Sequence, residues 1–436
     1  MIVNFSVQNF GPIKGMQTLS FEADKSTHLE DQYITSVAGG LRLLKLALIY
    51  GANASGKTTI LKAMDFLRGL VLEPTEKKTN KLEFNPFLFD AKTPKQNTII
   101  VIDFVQNNVR YFYEVELNRN AIIREELNFF NPNKANVFRR TTDINKQFTE
   151  IKFGSKIKKE KTIEKNLEAN TLWNNTVLGG FQKTNVDIKE LKEVTDWFAK
   201  YLAPIVLTNT ELDDYVTEQI ESSEINKKDV VTILKRADFN ISDIIINKEE
   251  KDLPDGLIEF LEKRAIAPVE EVNKLKGKGK LTSLNIELQH TIDNIDYNLP
   301  FKFESQGTQR YYGFAGLLTL LVNGAIAIPI DELESSLHPD LFTHFLLSFL
   351  MNAKSSQLIA TTHNREILNN KDIFRNDAIW FTDKSENCAT ELYSLSDFDS
   401  SVVRDTSNIL NAYKTGKLGG TPNLGDYYIH ISNEKK

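Results

Sequence analysis

Apolar and polar residues alternate through the opening segment MIVNFSVQNFGPIKGMQTLSFEA. The pattern runs over Ile2, Asn4, Phe5, Ser6 and Val7 and repeats around Leu19 and Phe21 after a Gly-Pro turn, which predicts paired strands. A second alternating pair is NTIIVIDFVQNNVRYFYEVELN, with Asn107-Asn108 as its tight turn. The first 150 or so residues are therefore expected to be strand-rich. From about Ser155 the pattern changes to Lys/Glu-rich stretches with helical spacing. In VDIKELKEVTDWFAKYL, Ile188, Leu191, Val194, Trp197 and Phe198 recur at steps of three and four. After Lys280 short, continuous apolar runs return, AIAIPIDE and SQLIATTH, as expected of strands buried on both faces of a parallel sheet. The pattern predicts an α/β chain in three parts: an N-terminal lobe over 1–154, a helical insert over 155–280 and a C-terminal lobe over 281–436.

Composition narrows the function classes. The 436 residues are 41% hydrophobic and 26% charged, ordinary for a globular protein, and the formal net charge of −6 supplies no global attraction to nucleic acid. Two local Lys runs, SKIKKEK and NKLKGKGK, lack interleaved aromatics and read as solvated loops. The single cysteine, Cys388, excludes an intramolecular disulfide and a Cys-cluster metal site, fits a reducing cytoplasm, and is expected to be inert. The N-terminus lacks a basic region followed by an apolar core, and no run approaches the ~18 apolar residues of a membrane span. The expected location is cytoplasmic, away from membranes.

The motif that carries chemistry is GANASGKT, Gly51 to Thr58, set between the apolar run LLKLALIY and the helix-like TILKAMDFLRGL. In that strand–loop–helix context Gly51 and Gly56 let backbone N–H groups curl around a β-phosphate, and the helix N-terminus adds its partial positive charge. Lys57 reaches the β/γ oxygens of ATP and the Thr58 hydroxyl ligates Mg²⁺, while Asn53, Ser55 and Thr59 complete the candidate nucleotide contacts.

Three further features lie in a matching order. AIAIPIDE ends in Asp331-Glu332, where the Asp is placed to hold Mg²⁺ through water and the Glu to polarise an attacking water; the plain alternative is a solvated strand end. Thirty-one residues on, SQLIATTHN ends a buried strand at His363, placed to contact a γ-phosphate or the catalytic Glu, or else structural. His338, beside a proline at a helix start, reads as structural or interfacial. Upstream, FESQGTQRYYG opens a long apolar helix; Ser305 to Gly307 resembles the signature loop of ABC-type ATPases, whose Ser hydroxyl, Gly amide and helix dipole bind the γ-phosphate held by the other subunit. The alternative is an N-capped helix with Ser305 or Thr308 as cap.

Together with VQNFGPIK, IIREELNFF, VTILKRADFNISDIII, IDELESSLHPDL and the tail NAYKTGKLGGTPNL, these motifs make nearly the whole chain resemble the AAA15 family of ABC-type ATPases, related to the OLD (overcoming lysogenization defect) ATPases. The resemblance implies an ABC/SMC-type head that sandwiches two ATP molecules in a head-to-head dimer. It also implies a role in anti-phage defence, abortive infection in particular, with a phage-encoded trigger and an effector from a neighbouring gene such as a TOPRIM-like nuclease. The chain departs from full OLD nucleases in leaving only 73 residues after His363, and Asp397-x-Asp399 reads as a polar turn. The glutamine-loop ligand is unassigned. An insert of this length, folded as two antiparallel helices, reaches only about 90 Å, so a long coiled-coil arm is excluded; its Trp173, Trp197 and Phe198 are candidate partner anchors as well as candidate core. The other reading left open is an SMC-like ATPase acting directly on DNA.

Overall fold

The structure of the protein, a computed structural model, describes residues 1–158, 162–254, 276–277, 280–398 and 408–422. Contacts divide the chain into two units, Met1–Thr208 with Ala325–Glu334 and Leu350–Lys436, and Asn209–Gly324 with Ser335–Phe349.

The first unit holds two sheets. Seven antiparallel strands run in the spatial order Phe148–Phe153, Lys134–Asp143, Ile122–Phe130, Val109–Leu117, Thr98–Gln106, Ile2–Gln8 and Gln17–Ser20. Their alternation is one-faced: along Val109–Leu117 it is Tyr111, Tyr113, Val115 and Leu117 that are buried. Asn107 and Asn108 make the expected turn, both at positive φ. The other sheet orders Ala327–Ile330, Gln357–Thr361, Leu46–Gly51, Ile379–Lys384 and Thr390–Ser394, parallel except for the last strand. Its three leading strands are buried at every position, which explains their uninterrupted apolar sequence. The helix Lys57–Leu72 packs against strands of both sheets through Ile60, Leu61, Met64, Leu67 and Val71. This α/β arrangement, an antiparallel sheet together with a parallel sheet that carries the glycine-rich loop, fits the layout expected from the sequence for an ABC/SMC-type head.

The helix Lys189–Lys200 buries Leu191, Val194, Trp197 and Phe198, as its spacing predicts. Its partner is the antiparallel sheet: Trp197 stacks on Phe104 with ring centroids 3.9 Å apart, and Phe198 meets Phe104 and Tyr113 edge-on. That packing keeps the chain with the first unit as far as Thr208, so the contact boundary falls well beyond the expected start of the insert at Ser155. It also removes Trp197 and Phe198 as surface anchors, since both are fully buried. Trp173 spends its indole N–H on the Lys78 carbonyl.

The second unit contains the helices Leu212–Glu221, Lys227–Arg236 and Gln306–Asn323 and a three-stranded antiparallel sheet, Asp243–Asp252, Lys280–Ile292 and Ile295–Pro300. The segment expected to be helical therefore turns to strand after the helices. Ile244 faces Leu288 and Ile246 faces Ile286 across the ladder, giving a covered apolar start to the strand, and from Asn247 to Glu250 the chain is exposed on both faces. Much of SKIKKEK and NKLKGKGK lies outside the described residues, as does Asp399. Asp397 caps the short Leu395–Asp397 turn by accepting the Ser394 N–H at 2.8 Å. Among the described residues no helix is long and apolar enough to cross a membrane.

Replacing Trp197 by Ala should lower the unit's stability by about 3–5 kcal/mol, as expected when a fully buried aromatic is removed, and should shift the urea midpoint down. Trp197→Phe should recover most of this, because the indole N–H is buried without a hydrogen-bond partner. A Phe variant no more stable than the Ala variant would contradict this packing.

Candidate functional site

The glycine-rich loop starts where the buried strand Leu46–Gly51 ends and closes at Gly56, the residue before the helix Lys57–Leu72. Both glycines are sterically required. A Cβ on Gly51 would lie 2.3 Å from the Thr382 hydroxyl and 2.6 Å from that of Ser55, and a Cβ on Gly56, at φ 100°, would lie 2.2 Å from the Thr390 hydroxyl. Those threonines hold the loop from behind. The Ser55 and Thr382 hydroxyls share a 2.6 Å hydrogen bond, and the Thr390 hydroxyl donates to the Ser55 carbonyl at 2.8 Å. Sequence reasoning missed both threonines, which sit more than 300 residues downstream in the hairpin Ile379–Lys384/Thr390–Ser394.

Lys57 is buried, and its ammonium donates to the Gly51 and Ala52 carbonyls at 2.9 and 3.1 Å. Burial holds its pKa below the usual lysine value, against the opposing pull of Asp331, Glu332 and Glu334. The next residue meets the acidic strand: the Thr58 hydroxyl donates to the Asp331 carboxylate at 2.9 and 3.1 Å, and the Thr361 hydroxyl donates to it at 2.7 Å. The same Thr361 hydroxyl accepts the Glu332 N–H at 2.8 Å, with Glu332 turned into the left-handed region at φ 48°. The Glu332 carboxylate and His363 Nε2 are 3.9 Å apart, both partly exposed. Burial first, then the Lys57 charge, lower the His363 pKa below the usual imidazole value, against the opposing pull of Glu334 and Glu332.

Asn53, Ser55, Gly56, Lys57, Thr58, Thr59, Glu332 and His363 line one cleft of about 490 Å³. Pro12, Ala54, the exposed Phe89, Lys384 and Cys388 form the rest of its wall. Cys388, expected to be inert, is exposed at the cleft edge. Two donor sets matter for a ligand. The glycines let the loop close back on Thr382 and Thr390, and the start of the following helix, Gly56 to Thr58, lines the cleft where N-terminal N–H groups of a helix suit a phosphate. The Thr58 hydroxyl and Asp331 carboxylate are hard oxygen donors that fit Mg²⁺, an ion ordinarily held by one or two protein carboxylates plus substrate phosphates. Among the described residues no group of three His, Cys, Asp or Glu side chains forms an all-protein metal cage.

Ser305 and Gly307 belong to the second unit. Ser305 is the N-cap of the helix Gln306–Asn323, accepting the Thr308 N–H at 3.1 Å, so the capping alternative describes its resting state. His338 precedes the Pro339–Asn352 helix and its Nδ1 accepts the Asp340 N–H at 3.3 Å.

The family described as "AAA domain, putative AbiEii toxin, Type IV TA system" matches residues 46–369, from the strand that feeds the glycine-rich loop to just past His363. No curated protein matches the chain. Among solved structures, the SMC head domain from Thermotoga maritima is similar at 14% identity and a TM-score of 0.42, covering 90% of this chain and 98% of that one. An SMC head bound to the C-winged helix domain of ScpA is similar at 11% identity and a TM-score of 0.42, covering 90% and 97%.

Gly56→Ala should weaken nucleotide binding at least about tenfold, because the new methyl forces the Thr390 hydroxyl off the Ser55 carbonyl and strains a positive-φ position. Fluorescent-nucleotide titration checks this, and wild-type affinity in the variant would show that the loop is not held as described.

Proposed function

The chain belongs to the AAA-domain family that matches it, and we propose that it is a P-loop ATPase that works as an ATP-driven switch in anti-phage defence. The observation that carries the ATPase site is the Asp331 cluster: one carboxylate bound by the hydroxyl that follows the P-loop lysine and by the hydroxyl that ends the His strand.

In this reading the phosphates of ATP lie along the backbone from Gly51 to Thr59, with Asn53 and Ser55 in the loop wall. The Lys57 ammonium exchanges the Gly51 and Ala52 carbonyls for β/γ-phosphate oxygens. Thr58 and Asp331 would hold Mg²⁺, which when bound supplies charge neutralisation at the phosphates. Glu332 accepts the proton of the attacking water, and His363 beside it hydrogen-bonds at the γ-phosphate end of the cleft. The exposed ring of Phe89 offers an apolar wall for the base. Ser305 and Gly307 serve a second copy of the chain: the loop that caps the Gln306–Asn323 helix presents its hydroxyl and N-terminal N–H groups to the γ-phosphate held by the partner.

Hydrolysis is the timing step, and the product is a change in what the protein binds. The toxin and toxin–antitoxin wording of the family description supports a two-component system. The effector, from a neighbouring gene, supplies the cleavage as a TOPRIM-like or other nuclease, and a phage product supplies the trigger. Within the region 155–280, residues 209–254 lie outside the unit that carries the glycine-rich loop and are the proposed effector contact. Direct action on DNA would need the Lys runs, which have no interleaved aromatics to stack on bases.

Lys57→Ala should abolish ATP binding, whereas Glu332→Gln should bind ATP, lose hydrolysis and accumulate as a dimer in the presence of ATP. Size-exclusion with and without ATP, beside a phosphate-release assay, reads both. Near-wild-type affinity in the first, or turnover in the second, would overturn the assignment. Coexpressed with its neighbouring gene, the wild type should confer phage resistance that either substitution removes.

A further inference from the structure

The acidic strand and the His strand stay joined beyond the last rung of their sheet. Pairing runs from Ala327 with Gln357 to Ile330 with Ala360. Past it, the Thr361 hydroxyl donates to Asp331, Glu332 N–H donates to that hydroxyl, and Leu333 N–H donates to the Thr361 carbonyl at 3.1 Å. Thr362 N–H turns the other way, to the Ile49 carbonyl of the P-loop strand at 3.0 Å. One group remains for the next residue, and a side chain takes it: Glu334 Oε1 accepts the His363 N–H at 2.5 Å. The carboxylate stands where a main-chain carbonyl would sit if the strands continued. Glu334 Oε2 is buried and has no hydrogen-bond partner among the described residues, so the carboxylate is kept in this place at a desolvation cost. Glu334 does not line the nucleotide cleft, although Glu332 and His363 on either side of the junction do.

Resting on the ATPase reading above, the geometry points to Glu334 as a positioning residue of ATP hydrolysis: its carboxylate fixes the His363 main chain beside Glu332 and so directs the imidazole at the γ-phosphate end of the cleft. Without it the His363 N–H is released, the turn after Thr362 is free to rotate, and the 3.9 Å approach of His363 to Glu332 is lost. Displacements of about 1 Å at a reacting centre cost up to about 100-fold in rate. ATP affinity changes little, because the P-loop, Lys57 and Thr58 keep their own hydrogen bonds.

The test is steady-state ATP hydrolysis together with fluorescent-ATP titration on the full chain. Glu334→Ala should lower kcat about 10- to 100-fold with Kd for ATP within about threefold of wild type. Glu334→Gln keeps the acceptor oxygen and should restore kcat to within about threefold. On a His363→Ala background, Glu334→Ala should add no further loss, since it acts through His363. Wild-type kcat in Glu334→Ala, or an equal loss on the His363→Ala background, overturns the proposal. If Glu334→Ala does not melt cooperatively, Glu334→Asp decides: it keeps the charge but withdraws the oxygen by one methylene, and its kcat should fall, whereas wild-type kcat overturns the proposal. A wild-type chain that neither binds nor hydrolyses ATP would instead sink the ATPase reading, and this inference with it.

Discussion

The Asp331 carboxylate holds the site together. A carboxylate this far out of water must be satisfied by donors, and those it takes, the Thr58 and Thr361 hydroxyls, come from the helix behind the P-loop and from the end of the neighbouring strand. Three segments thereby end at one point, two of them 30 residues apart and the third 273 residues upstream of Asp331. The parallel order of the sheet makes this possible: the Gln357–Thr361 strand sits between the acidic strand and the P-loop strand, so their C-terminal ends share one edge. Ligand sites of open parallel sheets form at that edge for this reason.

The same edge explains why the loop is rigid before any ligand arrives. The hairpin next to the P-loop strand brings Thr382 and Thr390 against Ser55, and their hydroxyls leave room only for hydrogen at Gly51 and Gly56. The C-terminal segment adds a layer beneath: Gly420 N–H donates to Asp383 at 3.0 Å, and the Tyr413 hydroxyl donates to the Gly420 carbonyl. Lys57, by contrast, rests on carbonyls of its own loop and must trade them for phosphate oxygens. The frame is preorganised and the cation is the movable part.

Much of this was legible in the sequence. The P-loop, the acidic strand and the His strand announce themselves because each pairs an uninterrupted apolar run with a polar residue at its end, and their order selects the class. The helix Lys189–Lys200 was legible from its spacing, although its partner was not, because the Phe104 ring that receives Trp197 lies in a distant strand. The sheet of the second unit was hidden by charge: Asn247 to Asp252 reads as helix surface, and only the ladder to Lys280–Ile292 makes it a strand. Thr382, Thr390 and Glu334 carry no local signal at all. Their roles depend on side-chain hydrogen bonds to main-chain groups that topology alone brings near.

The account stands or falls on whether the Asp331 cluster is the Mg²⁺ and ATP centre. ATP turnover by Asp331→Asn, beside wild type at saturating Mg²⁺, tests this most directly, because the amide keeps an acceptor oxygen for the two threonines and loses the charge that would hold the metal. The account predicts a folded protein whose turnover falls at least about 100-fold. Turnover equal to wild type would contradict it and place the chemistry elsewhere.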